Sequence, residues 1–304
     1  MNTGINLQLL RHKFTAMASP CEVMLPYIDS NKDDVQRVAQ AAEEEVRRIE
    51  TKYSRFRPDS ILSKINSSDG QKTTIDAETH YLLNYASVAF ELSDGLFDIT
   101  AGVLSKLWDF RNGIIPSPET IRTNLAYVGF QHIRFNSNSI ILPAGMSLDF
   151  GGIGKEYAVD CAAAICKSAG ITHGIIDLGG DLHVIGPQPD NRPWKVGVRN
   201  PRAPENAIAE LAITQGGLST SGDYERYFEH SGKRYCHLLL PKTGMPVSYW
   251  ASVSVVAPSC LLAGTLSTIA MLKQSDARMW LDEQEIQYLG IHPDLTMIER
   301  NPCG

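Results

Sequence analysis

Short runs in which apolar and polar residues alternate follow one another through the second half of the chain, and a chain so patterned has to build a sheet. The stretches 131–136 and 139–142, parted by a Ser/Asn turn, predict a hairpin, and 172–178, 181–185, 194–199, 207–213, 233–240 and 251–257 predict further strands. Only two helices break that series: 153–169, stopped by Gly170, and 260–273, rich in Ala, Leu and Thr. The other helical signals are grouped nearer the start. Val35, Val38, Ala42, Val46, Ile49 and Tyr53 recur at three- and four-residue steps, which predicts an amphipathic helix over 33–53 with Asp33 capping its first turn. A second helix is expected from Asp76 to about Leu92, closed by Ser93-Asp94-Gly95, and a third from Ser117-Pro118, a cap followed by proline at the first helical position. Strands in succession, with helices grouped and not alternating, predict an α+β fold, not a doubly wound parallel sheet.

With 304 residues, 43% hydrophobic and 20% charged, the chain can bury a large core. The net charge of −6 excludes the diffuse cationic surface that a phosphate backbone demands, so no nucleic-acid partner is expected. No run approaches a membrane span of roughly 18 apolar residues, and no apolar leader precedes Arg11, His12 and Lys13, so a cytoplasmic protein is expected. Cys21, which follows Pro20 in a strand, does not read as a lipid-attachment cysteine. Cys21, Cys161, Cys166, Cys236, Cys260 and Cys303 are dispersed without any C-x-x-C pair, which predicts buried thiols and neither a zinc site nor a disulfide framework. No repeat, low-complexity tract or linker interrupts the chain, so 1–304 reads as one domain.

Five segments bear on where chemistry could sit. Ser147-Leu148-Asp149-Phe150-Gly151-Gly152-Ile153-Gly154-Lys155-Glu156 passes from a strand through three glycines into a helix, a turn whose N–H groups suit a phosphate. It is neither a Walker A loop nor G-x-G-x-x-G, and a plain strand-to-helix turn is the competing reading. Asp177-Leu178-Gly179-Gly180-Asp181 reads as a hairpin turn. Ser219-Thr220-Ser221-Gly222-Asp223-Tyr224-Glu225-Arg226 gathers hydrogen-bonding side chains around one glycine beside a strand, as a site or as a self-capped polar loop. His237, at the end of a strand and before Pro241-Lys242-Thr243-Gly244, is either a structural residue or an acid–base group active near neutral pH. Thr265, Ser267 and Thr268 add hydroxyls to an otherwise apolar helix.

Taken together these segments resemble the ApbE family of flavin transferases (FAD:protein FMN transferases) from about Phe14 to Lys273. Its elements occur in family order: Ala16-Met17, Ser54 to Ser60 leading to Ile65-Asn66, Asp94 to Thr100 with Leu107 to Phe110, the glycine turn after Asp149, Ser219 to Arg226, and His237 to Gly244. The resemblance implies a T-fold-related α+β domain of two lobes, with mainly antiparallel sheet and flanking helices. It further implies FAD as substrate, Mg2+-assisted attack by a threonine of an acceptor flavoprotein, esterification of FMN to that protein, and release of AMP. Carried over to this chain, Met17, Phe56, Leu96, Phe97, Asp98, Asp149, Lys155 and Leu239 are the expected flavin-nucleotide contacts, and His237 the catalytic or phosphate-positioning residue. Mg2+ is expected at the Gly152 carbonyl with Ser267 and Thr268. Where the family helix reads Ala-Asp-Ala-Leu-x-Thr this chain reads Ala263-Gly264-Thr265-Leu266-Ser267-Thr268, and where the family has His-x-x-Asp-Pro it has His237-Leu238-Leu239-Leu240-Pro241. Two metal-site carboxylates are therefore missing, at Gly264 and Leu240, and Gly264→Asp is expected to restore one of them. The alternative is an FAD-binding member of the family with weakened or lost transfer.

Overall fold

The computed structural model describes residues 7–300. In chain order, β1 (Gln8–Ala16) and β2 (Ser19–Tyr27) precede α1 (Lys32–Tyr53), α2 (Ile61–Asn66), β3 (Lys72–Thr74) and α3 (Ala77–Leu92). The short α4 (Gly102–Ser105), α5 (Pro118–Leu125), β4 (Arg134–Asn136), β5 (Ser139–Ile141) and α6 (Gly154–Ser168) follow. A run of strands comes next: β6 (Gly174–Leu178), β7 (Asp181–Gly186), β8 (Trp194–Asn200), β9 (Ala203–Ile213), β10 (Gly216–Gly222), β11 (Tyr227–His230), β12 (Lys233–Cys236) and β13 (Ser252–Ala257). The last elements are α7 (Cys260–Lys273), α8 (Ala277–Glu283), β14 (Gln287–Ile291) and β15 (Met297–Arg300). This is the expected α+β class, since strands cluster and the helices do not alternate with them. No helix among the described residues is long and apolar enough to cross a membrane.

The chain divides into two compact units, one built from residues up to Glu50 with Ile153–Thr220 and Ser254–Gly264, the other from Thr51–Gly152, Ser221–Val253 and the residues from Thr265. In the first unit β1, β2, β6, β7 and β10 lie side by side, each pair antiparallel. Helix α6 packs on β6 and β7 through Ala158, Val159, Ala162, Ala163 and Cys166, all fully buried. Opposite them Ile176 and Leu178 are equally buried, and Val184 is buried on the other face of the sheet, each such aliphatic contributing about 1.5–3 kcal/mol of transfer free energy. Helix α1 buries the predicted stripe of Val35, Ala42, Val46 and Ile49. It begins at Lys32, so Asp33 lies inside the first turn, where it favours the positive helix end and does not cap it.

Two hairpin turns in this unit place backbone near each other. Gly179 and Gly180, both at positive φ (68° and 96°), turn β6 into β7 as the sequence predicts. Met17 and Ala18 turn β1 into β2 with φ of 51° and 58°, a left-handed pair that side-chain-bearing residues rarely adopt. The Met17 N–H is held by Glu50 Oε1 at 2.6 Å. Gly179 faces that first hairpin so closely that a Cβ there would lie 2.7 Å from Ser19 Cβ.

In the second unit the predicted caps hold: Asp76 accepts from the Thr79 N–H at the start of α3, and Ser117 from the Thr120 N–H at the start of α5. Val103, Leu104, Trp108, Ile121 and Leu239 form a buried cluster, and Trp108 Nε1 donates to the Gly244 carbonyl at 3.0 Å. Two sequence segments, joined by a bond between residues 136 apart, thus share one core. Boundaries differ from expectation where local turns compete. Residues 130–132 form a 3-10 turn ahead of β4, and β9 starts earlier, at Ala203. The strand expected over 233–240 ends at Cys236, because Leu240 N bonds Met245 O (2.8 Å) and Val247 N bonds Leu238 O (2.9 Å), folding the segment back on itself. Ser219–Gly222, read as loop, is the end of β10. Cys21, Cys166, Cys236 and Cys260 are buried free thiols and Cys161 is half-buried, while Cys303 lies outside the described residues.

Candidate functional site

Asp149 leaves the core on the turn between Leu148 and the glycines, its N–H fixed to Ile99 O at 2.8 Å. Its Oδ1 takes the Gly151 N–H (2.9 Å) and its Oδ2 pairs with Arg55, whose guanidinium also donates to Ser105 Oγ at 3.0 Å. Arg226 stands within the same electrostatic neighbourhood; burial, then the like charge of Arg55, pulls its pKa down, and Asp149 opposes them. Glu225 also opposes them, so two guanidiniums and two carboxylates gather in this corner, a set of donors and acceptors that suits a nucleotide edge. Phe56 is 82% exposed with the Arg55 guanidinium 4.9 Å above its ring. An exposed aromatic backed by a cation offers a flat face for a conjugated ring system.

The neighbouring expected contacts divide by burial. Phe97 is buried, and a Cβ on Gly152 would meet its ring at 3.2 Å, so the glycine turn lies directly over Phe97. Leu96 is half-buried. Asp98 is engaged in the scaffold: Oδ1 takes both the N–H and the hydroxyl of Thr100, and Oδ2 the Phe130 N–H. Burial raises the Asp98 pKa, and those hydrogen bonds work against the rise. Leu239 lies in the Trp108 cluster. His237 is half-buried just beyond β12, its N–H bonded to Arg226 O at 3.0 Å, which ties the histidine loop to the segment carrying Arg226. On α7, Ser267 and Thr268 both face Ser221 Oγ, each at 2.9 Å, a cluster of three hydroxyls on β10 and α7.

In the first unit Lys155, on the first turn of α6, pairs with Asp181 Oδ2 at 2.8 Å, and Asp181 Oδ1 accepts from the Ser219 hydroxyl. Burial works against the ammonium, but Asp181 and then Glu156 outweigh it and hold the Lys155 pKa above its ordinary value. Beside them Glu156 is buried, its pKa raised by desolvation and by Asp181, and its Oε2 has no hydrogen-bond partner. Asp160, one turn on, caps α7 by accepting from the N–H groups of Cys260 and Leu261, both at 2.9 Å. The space beside Gly264 is filled: a Cβ there would lie 2.5 Å from Glu156 Cγ. Gly264→Asp, expected to restore a charge, would require the Glu156 side chain to shift.

Sequence reasoning passed over Arg55, Arg226, Asp181, Ser221 and Glu156. Arg55 and Arg226 sit inside quoted motifs but show their roles only through Asp149. Glu156 left a signal, because it precedes Val159 and Ala163 at helical spacing and so puts an acid on the apolar stripe of α6.

Among the described residues no group of three or more His, Cys, Asp or Glu could hold a metal by itself. Each unit offers oxygen donors: the second has the Gly152 carbonyl and the hydroxyls of Ser267 and Thr268, and the first has the buried orphan oxygen of Glu156. Oxygen donors of this kind fit Mg2+, a hard cation bound through one or two carboxylates with substrate phosphates supplying the rest.

Comparison with known proteins gives the family. The crystal structure of an ApbE protein from Thermotoga maritima matches with a TM-score of 0.90 at 31% identity, covering 97% of each chain. That of the Pseudomonas stutzeri flavinyl transferase ApbE, in its apo form, matches with a TM-score of 0.87 at 26% identity over 97% of this chain and 96% of that one. A Vibrio cholerae protein named FAD:protein FMN transferase is 29% identical over 245 residues, 77% of this chain and 73% of its own length. The sequence model of the ApbE family matches residues 1–289, and with the fold and the ordered motifs in agreement, the chain belongs to the ApbE family.

Proposed function

We propose that this chain transfers FMN from FAD to a threonine hydroxyl of an acceptor protein and releases AMP. The bond that forms joins the threonine oxygen to the FMN phosphorus, and the bond that breaks joins that phosphorus to the AMP phosphate oxygen. The observation that carries this reading is the grouping of Arg55, Asp149 and Arg226 beside an exposed Phe56, in a chain that matches proteins named for flavin transfer.

In this reading Met17, Phe56, Leu96, Phe97, Asp98, Asp149, Lys155 and Leu239 make up the flavin-nucleotide contacts, directly or, for Asp98 and Leu239, by shaping the backbone and core beneath them. Asp149 accepts from the nucleotide and orients Arg55, and Lys155, kept protonated by Asp181, faces phosphate charge. His237 takes the threonine proton or positions the phosphates. Gly152, Ser267 and Thr268 are the proposed protein ligands of Mg2+, which, when bound, neutralises the charge that develops on the transferring phosphoryl group.

The test is AMP release from FAD by the purified protein with Mg2+ and a threonine-bearing acceptor. Acceptor-dependent AMP supports transfer, and His237→Ala should cut the rate by roughly 10²-fold with little change in Tm. Tight flavin binding without AMP would instead favour the FAD-binding alternative, and equal turnover in His237→Ala would remove His237 from the chemistry.

A further inference from the structure

The proposed transfer rests on a divalent cation beside the FAD phosphates, and such a cation normally recruits at least one protein carboxylate. Helix α7 offers none at Gly264. We infer that Glu156 of α6 is the metal-binding carboxylate of this chain, reaching from a different helix into the volume that a side chain at position 264 would fill. The inference deepens the reading above and depends on it for the identity of the ion.

Three observations carry it. A Cβ built on Gly264 would lie 2.5 Å from Glu156 Cγ and 3.1 Å from Cδ and Oε1. The Glu156 side chain therefore takes up the space of an acidic residue on α7, and acids at 156 and 264 exclude each other sterically. Glu156 is also only 6% exposed, and its Oε2 has no hydrogen-bond partner. A buried carboxylate oxygen left unpaired is costly, and groups of this kind in native proteins are paired, hydrogen-bonded or bound to metals.

The neighbouring charges are already spoken for. Lys155 pairs with Asp181 at 2.8 Å, Asp181 also accepts from Ser219, and Asp160 serves His183 Nδ1 (2.7 Å) and the first N–H groups of α7. The one ammonium of this cluster, Lys155, has its ion pair with Asp181 and not with Glu156, which leaves Glu156 Oε2 in need of a partner. An oxygen-seeking divalent cation supplies it.

Mn2+, which accepts the same oxygen ligands and is read by electron paramagnetic resonance, is the probe. The full-length protein is titrated with Mn2+ in the presence of saturating FAD. Glu156→Gln, of equal size, is expected to weaken Mn2+ by about tenfold or more, since even an outer-shell partner is worth that much. FAD affinity in metal-free buffer is expected to stay within error of the parent. The double variant Glu156→Gly with Gly264→Asp moves the carboxylate back onto α7 and is expected to recover Mn2+ binding toward the parent value, whereas Gly264→Asp alone is not. Parent-like Mn2+ binding in Glu156→Gln overturns the assignment, and so does a folded double variant that binds Mn2+ no better than Glu156→Gln. A parent that binds Mn2+ through Glu156 yet releases no AMP overturns the transferase reading and upholds the ligand.

Discussion

Asp149 and Lys155 stand six positions apart on one glycine turn, and their surroundings give them opposite duties. Asp149 keeps part of its carboxylate open while Arg55 and the Gly151 N–H hold its orientation. Asp149→Ala is expected to weaken FAD by about 1.5–3 kcal/mol, the scale of a hydrogen bond to a charged group, in a flavin fluorescence titration. Unchanged affinity would remove Asp149 from the nucleotide site. Lys155 instead neutralises Asp181, whose side chain is 6% exposed. Lys155→Met leaves that carboxylate buried and alone, and the expected loss is about 3 kcal/mol, the low end for a broken buried pair because 28% of the lysine still meets solvent. The Lys155 pKa lies above its unfolded value, so its stabilisation is fully present below about pH 10 and is lost only as pH rises through the raised value. The Met variant should therefore show the same deficit in chemical denaturation at pH 6 as at pH 8. A deficit that disappears across that interval would mean that another group balances Asp181.

At the scale of elements, the caps make the sharpest test. Asp76 accepts from the N–H and hydroxyl of Thr79, and Lys52 pairs with it from α1. Burial works against its ionisation, but Lys52 and then Thr79 prevail and bring its pKa down to about 2. A depressed carboxylate stabilises the fold above its unfolded pKa of about 3.9 and loses that contribution as pH falls through the folded value. Asp76→Ala should cost about 1 kcal/mol near neutrality, and the gap from the parent should narrow between about pH 4 and pH 2. This cap was legible because its signal is local: an Asp ahead of a periodic run. The hairpin of β1 and β2 was not, since the inward face of β1 carries Gln8 and His12 among its apolar residues and the turn is Met17-Ala18 with no glycine or asparagine. His12 sits inward because Glu43 of α1 bonds it at 2.6 Å, a partner 31 residues away that no local pattern announces. The overlong strand at 233–240 failed for the opposite reason. Its alternation continues past Cys236, but the backbone of 238–247 finds its hydrogen bonds within its own turn.

Across the whole molecule, ordered motifs made the family legible while the site's electrostatics stayed hidden. Asp149, Lys155 and His237 could be named from their segments, yet Arg55, Arg226 and Asp181 become meaningful only once distances bring them to a partner. Gly264 shows the limit most plainly, because a missing acid in one segment is answered by an added acid in another, and only the 2.5 Å approach links them. The central claim is that the chain moves FMN onto a threonine. Intact-mass measurement of a threonine-bearing acceptor, incubated with the protein, FAD and Mg2+, tests it directly. The account predicts one added FMN on that threonine, matched by an equal amount of AMP and absent when the threonine is replaced by valine. An acceptor of unchanged mass, in a reaction where the protein holds FAD and Mg2+ together, would contradict it.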